Sequence, residues 1–192
     1  MSLSLLSPSA NGCRLEPVEP RQAPLFCFVL LTVSCVLASF ALACATPFAA
    51  FAVISAAMLP LRPALLVVTG AWLVNQGIGF GALHYPIDGH TMLWGVAIGI
   101  AALAATAMSA AILRWLPQNS TLLVLTFALV GSYGVYEVAL LAATPLLGGA
   151  DSFTAAIVAR IGVLNAVWVI GLVAACEIVR LVNPFGRGHT AS

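Results

Sequence analysis

Residues 91–113 read TMLWGVAIGIAALAATAMSAAIL, a run without one charged side chain. A helix needs about 20 such apolar residues to cross a bilayer, so this stretch predicts a transmembrane helix. The rest of the chain has the same character. Of its 192 residues, 62% are hydrophobic and only 7% are charged, whereas soluble domains are about 25% charged. The sequence therefore predicts an all-α, polytopic integral membrane protein.

Five further apolar segments flank this one, at residues 25–45, 47–59, 64–83, 121–147 and 153–182. The segment at 47–59 is bracketed by Pro47 and Pro60 and would reach only about 20 Å, so it is either a short span or a re-entrant segment. A proline-rich turn at residues 60–63 follows it. Counting it as a span predicts a six-helix transmembrane domain over residues 24–182, with polar tails at 1–23 and 183–192.

The basic residues favour six spans. The chain has seven arginines and no lysine. With six spans, six arginines share a side with both termini, whereas Asp88 and Asp151 face the opposite side, which is the positive-inside pattern. The six are Arg14, Arg21, Arg62, Arg114, Arg180 and Arg187. We therefore predict that the N-terminus and the C-terminus are cytoplasmic, in a multi-pass protein of a cell membrane, most simply a bacterial inner membrane.

The absence of lysine excludes two kinds of chemistry. A P-loop needs a lysine for its phosphates, and a retinal or pyridoxal Schiff base needs a lysine amine. The five cysteines include no CxxC pair, so neither a zinc ribbon nor a thioredoxin motif is present. We expect no cofactor. The net charge of +1 also argues against a nucleic-acid partner and leaves the lipid bilayer as the main surrounding.

Three ionisable side chains lie within the predicted spans: Glu137, Arg160 and Glu177. Such a group costs about 2.5–3.5 kcal/mol on insertion scales and is a functional candidate. Glu177 precedes Arg180 by three residues, which predicts an interfacial ion pair. Glu137 and Arg160 lie about 12–15 Å below the same outer helix ends. They either form a buried ion pair or belong to a ligand site.

Other polar and aromatic residues are predicted at the same depth. They are Trp72, Asn75 and Gln76 on the third helix, Tyr133 and Tyr136 on the fifth, and Asn165 and Trp168 on the sixth. Small-molecule pockets combine apolar and aromatic walls with a few orienting polar groups. Together with Glu137 and Arg160, these residues form a predicted solute-binding site. Asn75 or Gln76 by itself could instead be an interhelical hydrogen-bonding group.

The predicted loop above this layer contains His84, Asp88 and His90. Imidazole and carboxylate suit zinc, nickel or cobalt, so these three residues are candidate metal ligands. The loop could otherwise be simply solvated, or act as a lid over the site.

Gly95 and Gly99 on the fourth segment have GxxxG spacing. Small residues let helices in lipid approach closely. In so alanine-rich a chain we expect close internal packing rather than dimerisation.

The first segment ends in Ala41-Leu42-Ala43-Cys44-Ala45, an alanine-x-x-x-alanine motif. This motif, six helices, cytoplasmic termini, an outer-half site and the missing P-loop resemble the substrate-binding S components of energy-coupling factor transporters. There the motif contacts a coupling membrane subunit, although in this chain it lies at the outer helix end. The nickel and cobalt members carry a histidine beside the initiator methionine, and Met1-Ser2-Leu3 does not match them.

The resemblance implies capture of a vitamin- or micronutrient-like solute from outside, followed by uptake through a partner with a separate ATPase and a coupling membrane subunit. It implies Arg160 as the contact for an anionic group and Glu137 as its counter-charge.

Alternatives from the residues are a self-sufficient carrier that titrates Glu137, a structural or assembly factor, and a metal-dependent membrane enzyme using the loop histidines. Without GxSxG, HExxH or paired aspartates, we predict that the protein is not an enzyme.

Overall fold

The computed structural model describes residues 15–42, 46–116 and 121–182, and within these ranges the chain is helical with no strand. The elements are α1 (Ala23–Leu42), α2 (Phe48–Met58), α3 (Leu61–Gly81), α4 (Gly89–Trp115), α5 (Thr121–Leu147), a 3-10 turn (Ala150–Phe153) and α6 (Ala155–Val182). Of the six α-helices, all except α2 are long and apolar enough to cross a membrane. The predicted class, an all-α multi-pass membrane protein, is confirmed at this level.

The helix ends differ from the predicted ones by a few residues, and at two of them the structure of the connection differs as well. Helix α3 begins at Leu61, so Arg62 and Pro63 lie in its first turn and not in a preceding turn. A proline is tolerated there because first-turn amides have no acceptor within the helix. Helix α6 begins at Ala155 and not at residue 153, because the 3-10 turn occupies the preceding positions. Residues 1–14 and 183–192 of the two tails, which include Arg14 and Arg187, and residues 43–45 of the alanine motif lie outside the described residues.

Hydrogen bonds between helices establish their relative directions. Helices α1 and α3 run parallel, because the Cys35 thiol donates to the Ala71 carbonyl and Asn75 donates to the Ser39 hydroxyl, each pair 36 residues apart. A chain can place two consecutive long helices parallel only if it returns between them. Helix α2 provides this return: the Leu15 amide donates to Ala57 near the α2 C-terminus, next to the start of α1.

Helix α2 forms the centre of the bundle. All eleven of its residues are buried, and it contacts each of the other five α-helices. Its mean direction matches that of α6, since Ala50 pairs with Asn165 and Met58 lies 3.9 Å from the Cys176 thiol. An 11-residue helix is about 16 Å long. The other helices therefore extend past α2 and leave space beyond its N-terminus.

Helices α3, α4 and α5 form consecutive antiparallel pairs around α2. Buried Ser109 of α4 and Ser132 of α5 are hydrogen-bonded to each other. The end of the bundle that carries the connections 82–88 and 148–154 is called the cavity end below. Near the opposite end, Glu177 and Arg180 form the predicted i,i+3 ion pair at 2.8 Å.

Candidate functional site

A cavity of about 550 Å³ lies at the cavity end, where α4, α5 and α6 extend past the start of α2. Its polar and aromatic wall consists of Thr46, His90, Trp94, Tyr136, Glu137, Ser152 and Phe153. Its aliphatic wall consists of Ile98, Leu140, Leu147, Ile157 and Ile161. This volume falls within the range of small-molecule sites, about 300–1,000 Å³.

A second cavity of about 260 Å³ lies on the other side of Trp94 and shares Trp94 and Ile98 with the first. It contains Asn75 and Gln76 of α3, with Tyr85 from the loop that follows α3. Four of the residues in the predicted site therefore line one or other of these cavities: Asn75 and Gln76 the second, Tyr136 and Glu137 the first.

Glu137 is the one acidic side chain that the described part of the chain contributes to the wall of the large cavity. Among the described residues no basic side chain lies within 4.0 Å of its carboxylate, because the one ion pair found there joins Glu177 and Arg180. The Tyr133 hydroxyl, one turn away, has a single hydrogen for two acceptors, the Val158 carbonyl at 2.6 Å and the Glu137 carboxylate. The carboxylate therefore faces the cavity without a cationic partner.

Arg160 does not join Glu137. Its side chain is exposed on α6, outside the walls of both cavities, so the buried ion pair considered from the sequence is not formed. Because α6 begins at Ala155, Arg160 lies only about 7–8 Å into the helix. A long arginine side chain on the outer surface of a helix can extend from that depth to the lipid headgroups.

Asn165 has a structural role that the sequence did not specify. It is 2% exposed, and its Oδ1 accepts the Ala50 amide of α2 at 3.0 Å, while its Nδ2 donates to the Ile161 carbonyl at 3.0 Å. The first amides of a helix have no acceptor within the helix. Since Pro47, the residue at the N-cap position of α2, makes no side-chain cap, Asn165 supplies one from a neighbouring helix.

Asn75 also links elements. Its Nδ2 donates to Ser39 at 3.1 Å and to Thr46 at 2.9 Å, which ties α3 to α1 and to the residue before α2. Its Oδ1 accepts from Gln76 at 3.4 Å. These bonds correspond to the interhelical alternative, although both amides still line the smaller cavity.

Trp72 packs on the GxxxG surface of α4. Its indole nitrogen donates to the Gly95 carbonyl at 2.9 Å, and a Cβ added at Gly99 would lie 2.8 Å from the ring. Gln76 occupies the corresponding space over Gly95. The two glycines therefore serve internal α3–α4 packing, and Trp72 lies outside the walls of both cavities.

Of the remaining predicted aromatic residues, one lines the large cavity and two pack elsewhere. Tyr136 is buried, lines the large cavity and stacks obliquely on Phe48 at a centroid distance of 6.4 Å. Tyr133 holds α5 to α6 through Val158. Trp168 packs against the core away from both cavities.

The three candidate metal ligands have other contacts or roles in the structure. Among the described residues no group of three or more His, Cys, Asp or Glu side chains is placed to hold a metal ion. Asp88 caps α4 by accepting the Thr91 amide at 2.8 Å. His90 donates to the Leu147 carbonyl at 2.6 Å, and His84 has a positive φ of 55° in the turn after α3.

Asp88 gives a pH-dependent prediction. The hydrogen bond from the Thr91 amide, more than any other contact, holds the pKa of the exposed Asp88 carboxyl below its usual range. A lowered folded-state pKa adds stability above the ordinary aspartate pKa of about 3.9, and this stability is lost as pH falls through the lowered value. Asparagine caps equally well without titrating. We therefore expect the melting temperature of wild type relative to Asp88→Asn to fall below about pH 4, where the Asp88 carboxylate becomes protonated.

Trp94 is the main wall residue that sequence reasoning missed. Its indole nitrogen donates to the Leu147 carbonyl at 3.3 Å, the same oxygen that accepts from His90. His90 and Trp94 are four residues apart and so share one face of α4. The sequence offered two signals for Trp94. One is its spacing of four from His90 beside a predicted helix start, and the other is that the last carbonyls of α5 need hydrogen-bond donors.

No protein-family model, curated protein or solved structure matches this chain.

Proposed function

We propose that the protein captures a small solute in the large cavity from outside the cell, for uptake across a bacterial inner membrane. The observation that carries this proposal is the 550 Å³ cavity with Glu137 in its wall. Pockets for small molecules combine apolar and aromatic walls with a few polar groups. Here Tyr136, Thr46 and Ser152 accompany the carboxylate among aliphatic side chains.

We further propose that α2 is a short sixth crossing and that both termini are cytoplasmic. The parallel packing of α1 and α3 supports this count, because α2 must return the chain between them. The arginine distribution then follows the positive-inside rule, and the cavity end faces outward. Solute would enter the cavity from that side.

Reporter insertions test the topology. Alkaline phosphatase inserted after Asp88 or Asp151 should be active, because those connections would be exported. A green fluorescent protein fused after Ser192 should fluoresce, because that terminus would be cytoplasmic. Phosphatase activity from an insertion after Arg62 would contradict the six-crossing topology.

Energy for uptake would come from a partner. The chain has no lysine and therefore no P-loop. The resemblance to energy-coupling factor S components suggests a separate ATPase and a coupling membrane subunit. Gentle purification followed by native mass spectrometry should reveal such copurifying subunits.

Filling the cavity tests solute capture directly. Leu140→Trp places an indole in the cavity, whereas Leu141→Trp changes the neighbouring residue, which is 48% exposed on the surface of α5. We expect native mass spectra of wild type and Leu141→Trp to retain a small molecule that Leu140→Trp lacks. Uptake from a panel of radiolabelled solutes should show the same order. Equal retention and uptake in all three proteins would overturn the proposal.

One observation favours a second function, that of a structural or assembly factor. The polar groups of Trp72, Asn75, Tyr133 and Asn165 are bonded within the protein, as a purely structural polar layer requires. Such a factor has no use for the cavity. In that case Leu140→Trp would leave uptake unchanged, while loss of the protein would reduce the amount of an assembled membrane complex.

A further inference from the structure

We propose that the solute carries a positive charge, as a protonated amine or quaternary ammonium, on an apolar body that includes a ring. This inference rests on the proposed function, since it names the chemical class of ligand for the same cavity. It reverses the expectation from the sequence that an anionic group of the solute binds Arg160.

The charges in the cavity wall favour a cationic ligand. Among the described residues of the wall, Glu137 is the one acidic side chain and His90 the one basic side chain. His90 donates to the Leu147 carbonyl at 2.6 Å and forms no ion pair with Glu137. A carboxylate among apolar groups is costly unless it is paired. A cationic ligand would provide the pairing that no described residue provides.

The position of Arg160 argues against an anionic ligand. An anionic solute would need a cationic contact, and the nearest candidate along α6 is exposed outside the cavity wall. An anion in the cavity would instead face Glu137 at close range. Like charges in a site of low dielectric repel strongly, so the cavity discriminates against anions.

The remaining wall residues describe the body of the solute. Trp94, Tyr136 and Phe153 contribute three aromatic rings, and the faces of such rings attract ammonium groups. Ile98, Leu140 and Ile157 provide an aliphatic surface. A small hydrophilic cation would leave this surface unpaired, whereas an aryl-alkyl amine would cover it.

Three probes that share one phenylbutyl group and differ in charge test the proposal. They are 4-phenylbutylamine, 4-phenylbutanol and 4-phenylbutyrate, titrated calorimetrically into the purified full chain in nanodiscs of zwitterionic lipid, with empty nanodiscs subtracted. We expect the amine to bind at least about tenfold more tightly than the alcohol, and the carboxylate to bind more weakly than the alcohol.

Variants of two glutamates identify the source of the preference. Glu137→Gln keeps the shape of the side chain and should reduce the preference for the amine to less than about twofold. Glu137→Asp keeps the charge and should retain most of it. Glu177→Gln is the matched control, because Glu177 is paired with Arg180 away from the cavity, and it should behave as wild type.

Failure of this inference is distinguishable from failure of the proposed function. If amine and alcohol bind equally and Leu140→Trp abolishes both, the charge proposal is overturned while solute capture stands. If none of the probes binds, the charge proposal is likewise overturned. In that case solute capture is decided by whether wild type retains a small molecule that Leu140→Trp lacks. A preference for the amine that persists in Glu137→Gln also overturns the proposal.

Discussion

Replacing Asn165 with leucine is expected to destabilise the protein by about 3 kcal/mol, at the upper end of the range for a buried group left without a partner. Leucine keeps the branched shape of asparagine but has a larger side chain, so crowding adds to the loss at the Ala50 amide, whose acceptor at 3.0 Å disappears. Water cannot readily replace it, since α2 is buried along its whole length. The other first-turn amides of α2 would lose the fixed start of the helix at the same time.

The comparison for this variant is Asn75→Leu, which also removes an amide that joins helices. Its partners, Ser39 and Thr46, are hydroxyls that can rotate toward other acceptors such as nearby backbone carbonyls. We expect this variant to lose no more than about 1 kcal/mol. Unfolding by sodium dodecyl sulfate in mixed micelles measures both, with hydrogen exchange of the α2 amides as a local readout. Equal losses would show that the cap on α2 has no special importance.

The sequence predicted the helices well because their ends are marked chemically. The long run at 91–113 became α4 (Gly89–Trp115), extended by one turn or less at each end. Its start is defined by the Asp88 cap. The errors occurred where proline and short polar segments permit two solutions: Pro63 proved compatible with the first turn of α3, and a 3-10 turn replaced the predicted start of α6.

The sequence gives the depth of each candidate residue along its helix but not its direction around the helix axis. Counting residues along a helix gives depth at about 1.5 Å per residue. The direction a residue faces must come from an apolar stripe, and helices that are apolar all round show none. Glu137 of α5 faces the cavity, whereas Arg160 of α6 faces outward, and no pattern in the sequence separates these two cases.

The central position of α2 could not be predicted either. Its length and flanking prolines indicated a short helix, but a short helix can be central, peripheral or re-entrant. In the structure α2 is central: its eleven residues, which carry no charge and include five alanines, are all buried. The space beyond its N-terminus then becomes the cavity. A feature of this kind depends on which helices surround α2, and only tertiary packing determines that.

Gly99→Ala is the second substitution with a large expected effect, and it tests the role of the GxxxG pair. An added Cβ would lie 2.8 Å from the Trp72 indole, and that ring is held by its bond to the Gly95 carbonyl at 2.9 Å. Overpacking of this type costs about 1–3 kcal/mol. If the indole must move, its hydrogen bond is also lost, at about 1 kcal/mol.

Gly134→Ala on α5 is the matched control, because a Cβ there meets nothing within 4 Å. It should be neutral or stabilising by up to about 1 kcal/mol, since alanine favours the helix. The double variant Trp72→Leu with Gly99→Ala should lose less than the sum of its single changes, because removal of the indole makes room for the Cβ. Additive losses would contradict direct Trp72–Gly99 packing. A change from dimer to monomer in Gly99→Ala, measured by sedimentation in detergent, would instead assign the GxxxG surface to contact between two copies of the chain.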